Sequence, residues 1–127
     1  MIPFLKSRVR SFRYAFHGWW FVIRTQKNAW IHALVSITVI FLGFWLKLSA
    51  WDWAVIIIAI AMVWTAEFLN TALEAVVDLA SPERNQLAKV GKDVGAAAVL
   101  ITASSSAVIG LLILGPPLWA RLETMLR

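Results

Sequence analysis

The stretch from Val94 to Ala120 contains no charged residue and is long enough to cross a membrane as a helix. In hydrocarbon every backbone N–H and C=O group has to be satisfied within the segment, so an α-helix is the conformation open to it. Two other apolar runs, Ala29 to Leu48 and Trp53 to Leu79, have a similar length. With 61% hydrophobic and 15% charged residues in a chain of 127, the composition indicates an integral membrane protein.

We therefore predict an all-α integral membrane protein with one domain over residues 1–127 and membrane helices at about 29–48, 53–79 and 87–114. A short turn at Ser49 to Asp52 joins the first two. Ser81 and Pro82 end the second membrane helix, because proline cannot continue a helix behind it, and Ser81 is a candidate cap for the next helix. Pro116 and Pro117 are expected to end or kink the third membrane helix near the far interface.

The N-terminal segment, residues 3–24, alternates basic and aromatic side chains at helical spacing. Such a pattern is typical of an amphipathic helix in the headgroup layer, where cations and Trp rings both find favourable surroundings. A solvated basic tail is the alternative. The segment lacks the charged-then-apolar order of a signal peptide, so we expect it to be retained.

Basic residues in the short flanks of the membrane helices predict the orientation. One side holds Lys6, Arg8, Arg10, Arg13, Arg24 and Lys27 before the first membrane helix, and Arg84, Lys89 and Lys92 between the second and third. The other side holds Lys47, Arg121 and Arg127. We expect the first side to be cytoplasmic. The excess of basic residues behind the net charge of +5 is then explained by membrane orientation and by contact with anionic headgroups. Nucleic acid is not an expected partner.

Four polar residues interrupt the second apolar run at steps of three and four: Glu67, Asn70, Glu74 and Asp78. At about 100° per residue, this spacing keeps their side chains on one face of a helix. Ionisable groups are costly in hydrocarbon, so this polar stripe marks a candidate functional site.

Three classes of function fit the polar stripe. In a lipid kinase, carboxylates at the membrane rim hold a metal-bound polyphosphate, and a deeper carboxylate deprotonates a lipid hydroxyl, beside basic residues that contact phosphate. The second class is an ion or proton conductor with a carboxylate-lined axis. The third is a structural membrane protein whose carboxylates fix helix register. The chain has no cysteine, which excludes disulfide and thiolate chemistry.

The string Glu67-Phe-Leu-Asn70-Thr-Ala-Leu-Glu74-Ala-Val-Val-Asp78, followed by Lys92-Asp93 and Gly95-Ala-Ala-Ala98, closely resembles the prokaryotic diacylglycerol kinase family, which includes undecaprenol kinases. Phe12-Arg13-Tyr14-Ala15 with Gly18 resembles the family's surface-helix motif, and Asn28 with Ile31-His32 its entry to the first membrane helix. The resemblance covers nearly the whole chain. It implies a homotrimer of three-span subunits in the bacterial inner membrane, with active sites shared between protomers.

The same resemblance implies a set of site residues. Glu67 would be the catalytic base that takes the proton from the lipid hydroxyl, and Glu74 would bind the Mg²⁺ ion that bridges the ATP phosphates. The nucleotide would be held by Tyr14, Asn70, Glu74, Glu83, Arg84, Asn85, Lys92 and Asp93. The lipid would be diacylglycerol or undecaprenol, and residues 12–32 are more similar to the undecaprenol branch.

The chain departs from the family pattern at two positions. Gln26 stands where some members have a second metal-binding glutamate, and Trp30 where many have an arginine. A glutamine can coordinate a metal through its carbonyl oxygen but adds no charge. We keep Gln26 as a candidate metal ligand, and Trp45 and Trp64 as candidates for contact with the lipid.

The two histidines, His17 and His32, are lone residues near the expected interfaces. Isolated histidines in such positions are more often polar anchors than ligands. We interpret both in this way.

Overall fold

The computed structural model describes residues 2–83 and 85–126, and residues 2–5 by their backbone alone. Its described residues form four helices: α1 Ile2–Thr25, α2 Lys27–Trp45, α3 Ala50–Ala80 and α4 Gln86–Leu126. The helices α2, α3 and α4 are each long and apolar enough to cross a membrane. The prediction of an all-helical chain with three long apolar helices is thus confirmed.

Helices α3 and α4 form an antiparallel pair that is the main packing unit of the chain. Near one end of the pair, the Ser106 hydroxyl donates a hydrogen bond to the backbone oxygen of Ala59 over 3.0 Å. At the other end, Lys92 Nζ lies 2.6 Å from Asp78 Oδ1. Ala59 precedes Asp78 on α3, whereas Ser106 follows Lys92 on α4, so the two helices run in opposite directions.

Small side chains allow this close packing. A Cβ atom added to Gly95 would collide with the Asn70 side chain and lie 3.1 Å from Leu73 Cδ2. Only a residue without a Cβ lets the two helices approach this closely at that level. The polar stripe of α3 is therefore covered at Asn70 by the backbone of α4.

The buried face of α3 is apolar in its first half and polar in its second. Ile56, Ala59 and Val63 are buried, and the same helical face continues through Glu67 and Asn70. Because these positions recur at steps of three and four, the polar stripe points into the helix packing rather than toward lipid. The remaining faces of α2, α3 and α4 expose many large apolar side chains, which suits contact with lipid or with further membrane helices.

The helix ends differ in part from the sequence prediction. Helix α3 begins earlier than expected, because Ser49 and Asp52 form a reciprocal capping box that starts the helix at Ala50. Before it, α2 ends at Trp45, and Lys47 turns the chain with a φ of 57°, in the left-handed region.

The expectation that Ser81 caps the next helix is wrong, and of the two outcomes expected at Pro116 and Pro117 the structure excludes an end of the helix. Ser81 is the C-terminal cap residue of α3, while α4 is capped by Asn85, whose Oδ1 accepts from the backbone N–H groups of Leu87 and Ala88. The prolines at 116 and 117 do not end α4, which continues to Leu126. Each proline removes one backbone donor, and Gly115 before them has no Cβ to clash with the proline ring.

Candidate active site

The break between α1 and α2 brings Gln26 to the polar stripe of α3. Gln26 adopts an extended conformation, with φ −100° and ψ 114°, and its backbone N–H still bonds to Val22 O. From there the side-chain Nε2 lies 3.5 Å from Glu74 Oε2. The other carboxylate oxygen, Oε1, accepts from Asn70 Nδ2 over 3.1 Å. Gln26, Asn70 and Glu74, separated in sequence, therefore form one polar group, the Glu74 cluster.

Glu67 lies deeper in the helix packing than the Glu74 cluster. Only 1% of its surface is exposed. Its Oε2 atom is 3.8 Å from Nε2 of His32 on α2, and neither atom has a hydrogen-bond partner among the described residues. Glu74 follows Glu67 after two turns of helix, about 10 Å along the axis.

The position of His32 corrects the sequence interpretation. We interpreted it as a polar anchor at an interface, but its side chain is largely buried, with 14% exposed, and faces Glu67. An ionisable residue inside an apolar span was the signal that could have identified it. Its contact with Glu67 could not be predicted from the sequence, because Glu67 belongs to another helix.

Aromatic residues cover the same region from the side of α1. The Trp64 ring lies 4.8 Å from Trp19 and its Nε1 donates to Ser36 Oγ over 3.2 Å. Phe68 packs edge-on against Trp19 at 4.9 Å. This aromatic cluster joins α1 to α3, and Trp64 lies one helical turn before Glu67 on α3.

Trp45 lies elsewhere. It is the last residue of α2, and the guanidinium carbon of Arg121 lies 5.9 Å from its ring centre, near the far end of α4. From His32 to Trp45 the helix rises about 20 Å. The structure therefore does not bring Trp45 to Glu67, and of the two tryptophans only Trp64 is beside the site.

An open cleft of about 620 Å³ lies at the turn between α3 and α4, and its lining begins at Val77, about one helical turn beyond Glu74. Several predicted nucleotide ligands and other polar residues line it: Asp78, Ser81, Glu83, Asn85, Gln86, Lys89 and Lys92. Lys92 is held at its edge by the ion pair with Asp78. The Asn85 side-chain oxygen is occupied by the helix cap.

Two other predicted nucleotide ligands, Tyr14 and Asp93, do not line that cleft. Asp93 is exposed on the helix face next to Lys92, and Tyr14 is exposed on α1. Arg84 lies outside the described residues.

The prediction of a Mg²⁺ site requires oxygen atoms that can coordinate this ion. The described part of the chain holds no group of three His, Cys, Asp or Glu residues suited to a metal. The Glu74 cluster combines one carboxylate with two amides, and Asn70 Oδ1 is buried without a partner in the described structure. Mg²⁺ usually keeps waters and uses one or two carboxylates together with substrate phosphates, so the cluster fits a Mg²⁺–nucleotide complex rather than a bare ion.

The fold and the site define a helical membrane protein with a buried carboxylate beside a polar cluster, and with a cleft lined by Lys89 and Lys92 together with Asp78 and Glu83. A sequence model described as prokaryotic diacylglycerol kinase matches residues 13–114. The chain is 40% identical over 109 residues to the undecaprenol kinase of Bacillus subtilis, covering 86% of this chain and 89% of the relative.

Other relatives carry the name diacylglycerol kinase. The protein from Synechocystis is 41% identical over 109 residues, covering 85% of this chain and 62% of the relative. The Escherichia coli K12 protein is 42% identical over 57 residues, covering 45% and 47%. The chain belongs to the prokaryotic diacylglycerol kinase family, and it is a bacterial membrane protein and a lipid kinase.

Proposed function

We propose that this kinase transfers the γ-phosphate of ATP to the hydroxyl of a membrane lipid alcohol, undecaprenol or diacylglycerol, in a Mg²⁺-dependent reaction with Glu67 as the base. The burial of Glu67 carries the proposal: a carboxylate with 1% of its surface exposed lies beside the polar cluster of the same helix. A buried ionisable group is costly, and a role in proton transfer to a membrane substrate accounts for that cost.

In the proposed reaction, Glu67 accepts the proton of the lipid hydroxyl as its oxygen attacks the γ-phosphorus. Phosphoryl transfer depends mainly on alignment and on stabilisation of negative charge. Lys92 would contribute a positive charge that stabilises the phosphates. Trp64 would contact the lipid near its hydroxyl end, on the side where the aromatic cluster closes the site.

The Glu74 cluster would hold Mg²⁺ through the Glu74 carboxylate, with Asn70 and Gln26 as amide neighbours. The ion would neutralise charge on the ATP phosphates. Gln26 now presents its amide nitrogen to Glu74, so its carbonyl oxygen would reach a metal after rotation of the amide group. Glu83, Asn85 and Asp93, with Tyr14 and Arg84, remain the proposed surroundings of the nucleotide.

The proposal places the cleft and α1 on the cytoplasmic side of the inner membrane. Lys27, Lys89 and Lys92 all belong to the end of the helix packing where Gln26 meets Glu74, in agreement with the positive-inside rule. In this arrangement α1 is an amphipathic surface helix. The exposed apolar faces of α2, α3 and α4 would pack in a homotrimer and against lipid.

The decisive experiment is phosphorylation of undecaprenol and diacylglycerol, offered side by side in mixed micelles with ATP and Mg²⁺, by the wild type and by Glu67→Gln. Glutamine keeps the shape of the side chain but cannot accept the proton. We expect turnover to fall by about 10²- to 10⁴-fold, while ATP binding and oligomeric state are retained.

Glu123→Gln is the matched control, because this carboxylate bonds to Trp119 near the far end of α4 and should not affect turnover. Full activity in Glu67→Gln would refute the assignment of the base. The lipid that the wild type phosphorylates faster identifies the substrate class.

A further inference from the structure

His32 and Glu67 approach each other across the α2–α3 packing. The distance from His32 Nε2 to Glu67 Oε2 is 3.8 Å, which is longer by about 0.6 Å than the upper end of ordinary N–H···O hydrogen bonds. Both atoms are buried, and each lacks another hydrogen-bond partner in the described chain. Buried polar atoms are nearly always paired, so two unpaired atoms this close indicate a contact that completes when the site is engaged.

The histidine ring is held beside this contact by Trp64. Trp64 of α3 meets it edge-on, with ring centroids 6.4 Å apart, and Trp64 is itself tied to α2 through Ser36. Ser36 lies one helical turn beyond His32. The ring therefore has a defined place beside the carboxylate rather than free rotation in a cavity.

A single donor on one oxygen of a carboxylate has a chemical consequence. Glu67 has two equivalent oxygens and a rotatable side chain, and a base works best when the accepting oxygen is already aligned with the proton. An N–H donor at Oε2 orients the group and leaves Oε1 for the substrate. It also compensates part of the cost of burying the negative charge.

We propose that His32 is a positioning residue for Glu67: its Nε2–H donates to Oε2 and directs Oε1 at the lipid hydroxyl. This inference rests on the proposed function of Glu67 as the base. The lipid proton passes to Oε1, the lipid oxygen bonds to the γ-phosphorus, and the bond from that phosphorus to the bridging oxygen breaks with its electron pair on ADP. His32 keeps its Nε2 proton throughout.

Two variants separate the donor from the ring. His32→Gln keeps an N–H donor without the ring, and His32→Phe keeps a flat ring against Trp64 without a donor. We expect His32→Phe to lower kcat by roughly 100-fold, with KM for lipid and ATP changed little, and His32→Gln to recover most of that loss. His17→Gln is the control, since this exposed histidine belongs to α1 beside Trp20 and Arg24.

Folding of each variant is checked by thermal unfolding in the same micelles. A folded His32→Phe with wild-type kcat would refute the proposal, and so would a folded His32→Gln as impaired as His32→Phe. If His32→Gln does not fold, the kcat of His32→Phe decides; if His32→Phe does not fold, a folded His32→Gln with kcat roughly 100-fold below the wild type refutes the proposal.

Glu67→Gln, measured in parallel, separates this inference from the proposed function. An active Glu67→Gln refutes the base and the positioning role together. An inactive Glu67→Gln with a fully active, folded His32→Phe refutes only the role of His32.

Discussion

Gln26 Nε2 lies 3.5 Å from Glu74 Oε2, although the two residues are 48 positions apart in the sequence. The contact exists because the chain breaks its helix at Gln26, so that α1 ends and α2 begins beside the polar stripe of α3. Gln26 occupies the position where the resemblance to the kinase family implies a second metal-binding glutamate in some members. The geometry therefore offers a direct test of how many carboxylates this site needs.

Gln26→Glu is expected to lower the Mg²⁺ concentration required for half-maximal activity. A second carboxylate beside Glu74 adds negative charge where the ion is proposed to bind, and hard divalent ions prefer charged oxygen ligands. The measurement is a Mg²⁺ titration of lipid phosphorylation at fixed ATP. Asn28→Asp, which adds the same charge at an exposed position two residues further on, is the control.

Glu74→Gln should have the opposite effect and raise the Mg²⁺ requirement, because the carboxylate of the cluster is lost while its shape is kept. Glu123→Gln again serves as the distant control. An unchanged titration in Glu74→Gln would contradict the proposed metal ligand. Equal titrations for Gln26→Glu and Asn28→Asp would show that local charge, not ligation, governs the response.

Gly95→Ala is expected to lower activity and to destabilise the chain by about 1–3 kcal/mol, the usual range for overpacking. The new Cβ would collide with the Asn70 side chain, which bonds to Glu74, so the substitution disturbs the site without removing a polar group. Thermal unfolding and kcat are measured in the same micelles.

Gly110→Ala provides the comparison on the same helix, because an added Cβ there meets no atom within 4 Å. Alanine favours a helix over glycine by up to about 1 kcal/mol, so this variant should be as stable as the wild type or more so. If both alanines behave alike, the contact between Gly95 and Asn70 is not important for the site.

Lys92→Gln is expected to raise KM for ATP by about tenfold, because a charge-assisted bond to phosphate is lost from the edge of the cleft. The effect on the KM for lipid should be small, since Lys92 lies at the level of Asp78, beyond the Glu74 cluster from Glu67. Lys27→Gln is the control: it removes an exposed cation from the same end of the helix packing. Equal ATP dependence in the two variants would count against a phosphate contact by Lys92.

Lys47→Gly is expected to stabilise the protein by about 1–2 kcal/mol, because residue 47 has a φ of 57° and glycine adopts that region without steric cost. The substitution lies in the turn between α2 and α3, far from the Glu74 cluster, so turnover should not change. Lys47→Ala removes the same charge but keeps the strained Cβ and is the matched control. The thermal unfolding midpoints of the three proteins give the answer, and a glycine variant no more stable than the alanine variant would contradict the prediction.

The sequence alone determined the three long apolar helices and the face of α3 that carries Glu67, Asn70 and Glu74. Hydrophobic length and helical periodicity are local properties of a segment, so both can be read without knowing its neighbours. Helix ends were less certain. The capping box at Ser49 depends on a reciprocal pair of hydrogen bonds, and the continuation of α4 through Pro116 depends on local backbone sterics. Hydrophobicity reports neither.

The tertiary structure decided which residues of different helices meet. It brought His32 to Glu67 and Gln26 to Glu74, and it left Trp45 at the far end of α2 while Trp64 joined the site. These pairings depend on the register and separation of α2 and α3, which pack so closely that a Cβ added to Gly43 would lie 2.8 Å from the Trp53 ring. The residue pattern within one helix does not report that register. The sequence of a helix determines which of its faces is polar, but the packing of the helices determines which residues that face contacts.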